Sequence, residues 1–203
     1  MARCAVVIAN GTLPRESIVR AEIAAADFVL AADGGANALS ALGIVPNAVL
    51  GDLDSLAVEL PDGVEILEAP DQDRTDLDKA VGYLVDEGFE VISILGATGD
   101  RLDHTFGALA VVCRYDARLV DDIGVAVSVR GPSHVTLETR TGCTVSLLPC
   151  GKVTGLTTVN LKWNLQDAEF DFAVRDGTSN VAMADTIEVA MQYGLLIVYT
   201  HHA

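Results

Sequence analysis

The chain has 203 residues, half of them apolar, with 29 acidic and 13 basic side chains and a formal net charge of −16. Such a chain closes a real core, in one large domain or two small ones, and is not disordered. With so few cations to release counterions, unaided binding to nucleic acid or to an anionic lipid surface is excluded.

In chain order, strand and helix alternate through the first half. Cys4 to Ala9 is an apolar run ending in Asn-Gly, which predicts a buried parallel strand and a loop. An Ala-rich helix follows from Glu16 to Ala26, then a buried strand from Phe28 to Ala32 with Asp33, Gly34 and Gly35 at its carboxyl end. A helix from about Ala36 to Leu42 is stopped by Gly43. Asn47 to Leu50 is a third strand leading into Asp52 and Asp54. Thr75 caps a helix that runs to about Glu87, with Asp76 and Asp78 at its positive end. Val91 to Leu95 is another buried strand, and a helix spans Asp103 to Tyr115. From about Asp121–Gly124 the pattern changes to short alternating runs, Val125 to Val129, His134 to Leu137, Thr144 to Leu148 and Leu195 to Tyr199. The fold class expected is α/β plus all-β: a mainly parallel α/β domain over 1–121, then a small β-sandwich over 122–203.

In open parallel sheets ligands bind beyond the carboxyl ends of strands, where Asp33, Asp52 and Gly96 are expected. Glycines 34 and 35 let a backbone approach phosphate closely. Asp52 and Asp54, two apart on a segment read as extended, point the same way and can share a divalent cation; their hard oxygens suit Mg²⁺. Between Asp71 and Ala80, acids Asp71, Asp73, Asp76 and Asp78 surround Gln72, Thr75 and Lys79. Helix-dipole complementation accounts for one or two of those acids. The alternative makes Asp76 a third metal ligand, with Lys79 balancing charge or touching phosphate. In Gly96 to His104, glycine amides and Arg101 read as a phosphate loop, with Asp103 and His104 holding a substrate group or a water, or Asp103 serving as a helix cap. In the second half Lys162 precedes Trp163, the one tryptophan, and Gly177 to Asn180 reads as a polar turn. Trp163 is either sandwich core or a stacking face for a flat ring, whose polar edge Thr178, Ser179 and Asn180 can satisfy.

Four scattered cysteines, with no CxxC and no His at zinc spacing, argue against structural zinc and fit a reducing compartment. No leader pattern or bilayer-length apolar run is present, so a cytoplasmic protein without a membrane partner is expected. Lysine occurs only at 79, 152 and 162, as in a GC-rich genome or a high-salt habitat.

Six strings together resemble the thiamine pyrophosphokinase family: ADGGANAL (32–39), PNAVLGDLDS (46–55), DQDRTDLDKA (71–80), ILGATGDRLDH (94–104), TTVNLKWNL (157–165) and GTSN (177–180). The resemblance spans nearly the whole chain in order. It implies an α/β nucleotide domain, a β-sandwich, and a homodimer whose thiamine site lies at the subunit interface. It implies Mg²⁺-dependent transfer of pyrophosphate from ATP, as co-substrate, to the thiamine hydroxyl, giving thiamine diphosphate and AMP. By the same resemblance Asp52, Asp54 and Asp76 hold Mg²⁺. Asp33, Gly34, Gly35, Gln72, Thr75, Lys79, Arg101 and Asp103 line the ATP and transfer site, joined by Asp71 and His104. Trp163, Ser179 and Asn180 belong to the thiamine side, with Thr178. Asp103 and the Asp71 region are the candidates for taking the hydroxyl proton.

Two positions depart from the family pattern. Asp100 stands where Gly or another non-acidic residue is common, and its charge is expected to weaken ATP binding. Asn160 stands where Gly is usual, and Asn tolerates positive φ better than most residues. The rival readings are a pyrophosphokinase for another hydroxymethyl heterocycle, such as a pterin alcohol, and a catalytically silent thiamine or nucleotide sensor.

Overall fold

The computed structural model describes residues 2–69 and 73–202, so Asp71 and Gln72 lie outside the described residues. It divides into two compact units, one ending at Asp122 and the other beginning at Ile123. No helix among the described residues is long and apolar enough to cross a membrane.

The first unit contains β1 (Cys4–Ile8), α1 (Glu16–Ala24), β2 (Phe28–Ala32), α2 (Gly35–Ala41), β3 (Ala48–Gly51), β4 (Glu65–Glu68), α3 (Asp76–Asp86), β5 (Val91–Leu95), α4 (Leu102–Tyr115) and β6 (Arg118–Val120). Its strands run parallel in the order β6-β5-β1-β2-β3-β4. Strands β2 to β4 grow away from β1 on one side and β5 to β6 on the other, so a topological switch point lies between β1 and β5. Val7, Ile8, Leu30, Ile94 and Leu95 are fully buried, as near-continuous apolar runs in a covered parallel sheet require.

Two strands of the first unit escaped the sequence reading. β4 is Glu-Ile-Leu-Glu at the sheet edge and mostly exposed, so it lacks a buried apolar signature. β6 has three residues. Thr75 caps α3 as expected, its Oγ1 accepting from the Asp78 N–H at 3.2 Å. Asp103 does not cap α4; Arg101 holds that position and Asp103 lies in the first turn.

Asp78 does more than complement a helix dipole. It is buried where α3 meets α4, and one carboxylate oxygen, Oδ2, accepts from Nη1 of Arg114. Its other oxygen, Oδ1, is buried without a partner. The pair raises the pKa of Arg114 through that hydrogen bond and the charge of Asp78.

The second unit is two antiparallel sheets. Its strands are β7 (Gly124–Arg130), β8 (Ser133–Glu138), β9 (Thr144–Pro149), β10 (Val153–Val159), β11 (Ala168–Phe170), β12 (Gly177–Val181), β13 (Thr186–Met191) and β14 (Leu195–His201). One sheet has the order β12-β9-β14-β7 and the other β11-β10-β13-β8. Leu147, Leu156, Ile187, Leu196 and Val198 are at the centre of the core that alternating strands bury. The segment from Gly177 to Asn180 is not a turn but part of β12, with its register to β9 shifted between Gly177 and Asn180 and Ser179 at φ 61°. A bulge of this kind satisfies a Gly-Thr-Ser-Asn string as readily as a turn does. Asn160 takes φ 64°, and its Nδ2 donates to the Thr186 carbonyl at 3.0 Å, so the amide side chain both tolerates and anchors the bend.

Replacing Arg114 by Met leaves the Asp78 carboxylate buried without its cation. We expect a loss of about 2 kcal/mol, read as a lower urea midpoint at unchanged slope. An unmoved midpoint would show that the pair adds nothing.

Candidate active site

A cavity of about 430 Å³ opens in the first unit beyond the carboxyl ends of β1, β2 and β5. Asn10 and Gly11 follow β1, Asp33 follows β2, and Gly96, Ala97, Thr98 and Asp100 follow β5. Thr75 and Asp76 at the start of α3, and Arg101, Asp103, His104 and Gly107 at the start of α4, complete the wall with Ser55. Two helix N-termini therefore face one cavity, and the positive ends of their dipoles favour an anion.

Asp33 is 7% exposed and holds φ 46°; its Oδ1 faces the Ser55 N–H at 3.4 Å. Arg101 and Asp103 form a forked pair, with Nε donating to Oδ1 at 3.0 Å and Nη2 to Oδ2. That guanidinium, with smaller help from backbone N–H groups, lowers the Asp103 pKa to about 2. Asp103 in turn raises the Arg101 pKa. His104 is exposed at the cavity.

Lys79 is nearly buried, and its Nζ donates at 2.9 Å to both Asp76 Oδ1 and the Ala69 carbonyl. Its charge goes to Asp76, and it is not part of the cavity wall. The glycine pair has a steric cause of its own. A Cβ on Gly34 would stand 2.3 Å from Asn10 Oδ1, and one on Gly35 would stand 2.1 Å from the Ile8 carbonyl oxygen. Those glycines seat α2 against the end of β1.

Asp52 and Asp54 are exposed on the turn after β3, outside the cavity wall. The segment is not extended, because Leu53 takes φ 63°, and Asp52 Oδ1 accepts from the Asp54 N–H at 3.2 Å. Period-two alternation therefore does not align the two carboxylates. Among the described residues no three acid, His or Cys side chains form a ready cation cage. Asn37 pins this turn: its Nδ2 donates to the Ser55 carbonyl and its Oδ1 accepts from the Ala57 N–H, both at 2.8 Å. Sequence reasoning missed Asn37, Asn10 and Gly11 as site residues; the Asn-Gly closing the first apolar run was the signal for the last two.

In the second unit Trp163 is 56% exposed, so it is not sandwich core. Lys162 Nζ lies 4.7 Å from its ring centroid. Asn180 is buried, and its amide brackets the Trp163 main chain, Nδ2 donating to the carbonyl at 2.9 Å and Oδ1 accepting from the N–H at 3.2 Å. Thr178 and Ser179 are exposed on β12.

The model of the thiamin pyrophosphokinase catalytic domain matches residues 19–121, and that of the thiamin pyrophosphokinase vitamin B1 binding domain matches residues 133–196. Thiamine pyrophosphokinase 1 and thiamine pyrophosphokinase 2 of Arabidopsis thaliana are 31% and 32% identical to the chain over 229 residues, covering 96% of it and 85% of each relative. The crystal structure of thiamine pyrophosphokinase from Bacillus subtilis has a TM-score of 0.85 at 21% identity, over 98% of this chain and 99% of that one. Yeast thiamin pyrophosphokinase gives 0.81 at 18%, over 98% and 86%. At such identities these two structures show a common fold. The matched pair of domains, in order, and the Arabidopsis relatives together establish that the chain belongs to the thiamine pyrophosphokinase family.

Proposed function

We propose that the chain performs the family's reaction in the cavity of its first unit, transferring pyrophosphate from ATP to the thiamine hydroxyl. The observation that carries this reading is the Arg101–Asp103 fork at a cavity flanked by two helix N-termini. Guanidinium and helix N–H groups recognise phosphate oxygens, and they stabilise charge that spreads over them during transfer. The hydroxyl oxygen attacks the β-phosphorus, the bond from that phosphorus to the bridging oxygen breaks, AMP leaves with that oxygen, and the hydroxyl proton passes to solvent. Little covalent help is needed beyond placement of the two reactants.

The donor chemistry fits Mg²⁺. Asp52, Asp54 and Asp76 offer only hard oxygens, and Mg²⁺ on a nucleotide takes one or two carboxylates beside phosphate oxygens and water. These three residues would hold the ion, which neutralises phosphate charge when bound. Asp33 and Ser55 shape the cavity wall with Asp76, while Thr75 caps α3 and Lys79 sets the Asp76 carboxylate. Both oxygens of Asp103 are taken by Arg101, so Asp103 acts by orienting that guanidinium. In the second unit exposed Trp163 is the stacking face for the thiamine ring, steadied by Asn180, with Thr178 and Ser179 near its polar edge.

We also infer a homodimer in the cytoplasm. Trp163, Phe172, Val174 and Met183 are exposed apolar side chains on the second unit, as a buried partner surface requires. The four cysteines are thiols, as a reducing compartment favours. A monomer by light scattering at micromolar concentration would remove the dimer.

Incubation with ATP, Mg²⁺ and thiamine should yield thiamine diphosphate and AMP by mass spectrometry, and nothing after chelation of the metal. AMP without the thiamine product would overturn the reading. Asp54→Asn should raise the Mg²⁺ concentration needed for half-maximal turnover; an unchanged requirement would remove Asp54 from the metal site.

The depressed pKa of Asp103 means that its favourable contact is complete above the ordinary carboxylate range and lost only as pH falls through about 2. Asp103→Asn should lower kcat/KM by about tenfold at every pH from 5 to 9 without moving the acid limb of the profile. A shifted acid limb would make Asp103 the titrating base.

A further inference from the structure

Beyond β1 and β5 the two loops meet main chain to main chain. The Gly11 N–H donates to the Gly96 carbonyl at 2.7 Å, continuing the pairing made by Ala9 N–H and the Leu95 carbonyl at 2.8 Å. There is no room for a side chain between them. A Cβ on Gly11 would stand 2.5 Å from the Gly96 oxygen, and one on Gly96 would stand 2.8 Å from the Ala9 oxygen. Gly96 and Gly99 both take positive φ, 71° and 98°, so the second loop is a sharp glycine turn.

The side-chain tie between the loops is Asp100. Its Oδ2 accepts from the Thr12 N–H at 2.8 Å, and its Oδ1 accepts from the Thr12 hydroxyl at 2.6 Å. Both oxygens are thus engaged by a single residue of the opposite loop, and the next residue in sequence is Arg101, where α4 begins. A carboxylate here has two opposed effects on a phosphate ligand. Its charge repels the ligand, and its acceptors order the walls that the ligand meets. Charge-assisted bonds to an N–H and an O–H disperse the first effect and strengthen the second.

We propose that Asp100 is a positioning residue for the nucleotide, a clasp that sets the Asn10–Gly11 wall against the 96–100 turn and fixes the base from which Arg101 projects. The sequence-based expectation of a merely repulsive charge is thereby reversed in sign. This rests on reading the cavity as the nucleotide site.

Substitutions at both ends separate the two effects. Asp100→Asn removes the charge but keeps one acceptor oxygen; Asp100→Ala removes both; Thr12→Val removes the hydroxyl donor. If the clasp dominates, the dissociation constant for ATP, measured by calorimetry, and its KM rise by about threefold in the Asn variant and about tenfold in the Ala variant. The KM for thiamine should stay put, and kcat should change less than the KM for ATP. Thr12→Val should add nothing further on top of Asp100→Ala, because both remove the same tie. In the ligand-free protein, amide exchange at Thr12 should quicken in the Ala variant and be partly restored in the Asn variant. Tighter ATP binding by the Asn variant, or equal binding by all variants, would overturn the clasp while leaving the activity intact. A parent protein that binds no ATP would instead remove the nucleotide reading, and the role of Asp100 with it.

Discussion

Where β1 and β5 end, backbone rests on backbone, and the cavity residues take their places from that contact. The constraint is steric. Gly11, Gly34, Gly35 and Gly96 each stand where a Cβ would fall within 3 Å of another part of the chain. With the glycines in place, the Asn10–Gly11 loop, the 96–100 turn and α2 close on one another, and the N-termini of α3 and α4 come to the same opening. The glycines shape the cavity by what they leave out. They shrink the scaffold until polar groups on five separate loops line one space of about 430 Å³.

A chain with a net charge of −16 assigns its few cations closely. Lys79 neutralises Asp76, Arg101 is aligned by Asp103, and Arg114 offsets buried Asp78. The Lys79 pair is largely buried on its cationic side, where screening by salt is weak. The Arg101 fork is exposed, so its value lies in direction rather than in stability: two parallel bonds fix the plane of the guanidinium.

Much of this was legible in the sequence, and the limits have physical causes. β2 and β5 were readable end to end because both faces are buried and the apolar runs are unbroken. The Thr75 cap was readable because its chemistry is local. β4 was not, since an edge strand carrying Glu65 and Glu68 has the composition of a loop. At the site, residue identity was more legible than residue geometry. The Asp-Leu-Asp string looked extended, but a positive φ at Leu53 turns it. Lys79 read as balancing charge or touching phosphate, and its bond to Asp76, three residues earlier on the same helix, is the first of these. Asp100 looked like a stray charge because Thr12, 88 residues away, is beyond the reach of any local pattern. The bond of the Asn180 amide to the main chain of Trp163, 17 residues away, lies beyond local patterns in the same way.

The grip of Asn180 on position 163 has a wider consequence. It bonds to the carbonyl and the N–H there, atoms that every residue but proline supplies, and it makes no demand on the indole. Mounting and exposed ring are thus separate parts of one residue. Across a lineage, the ring at this place can be exchanged while its mounting stays fixed, so the face shown to solvent can drift without the sandwich having to be rebuilt.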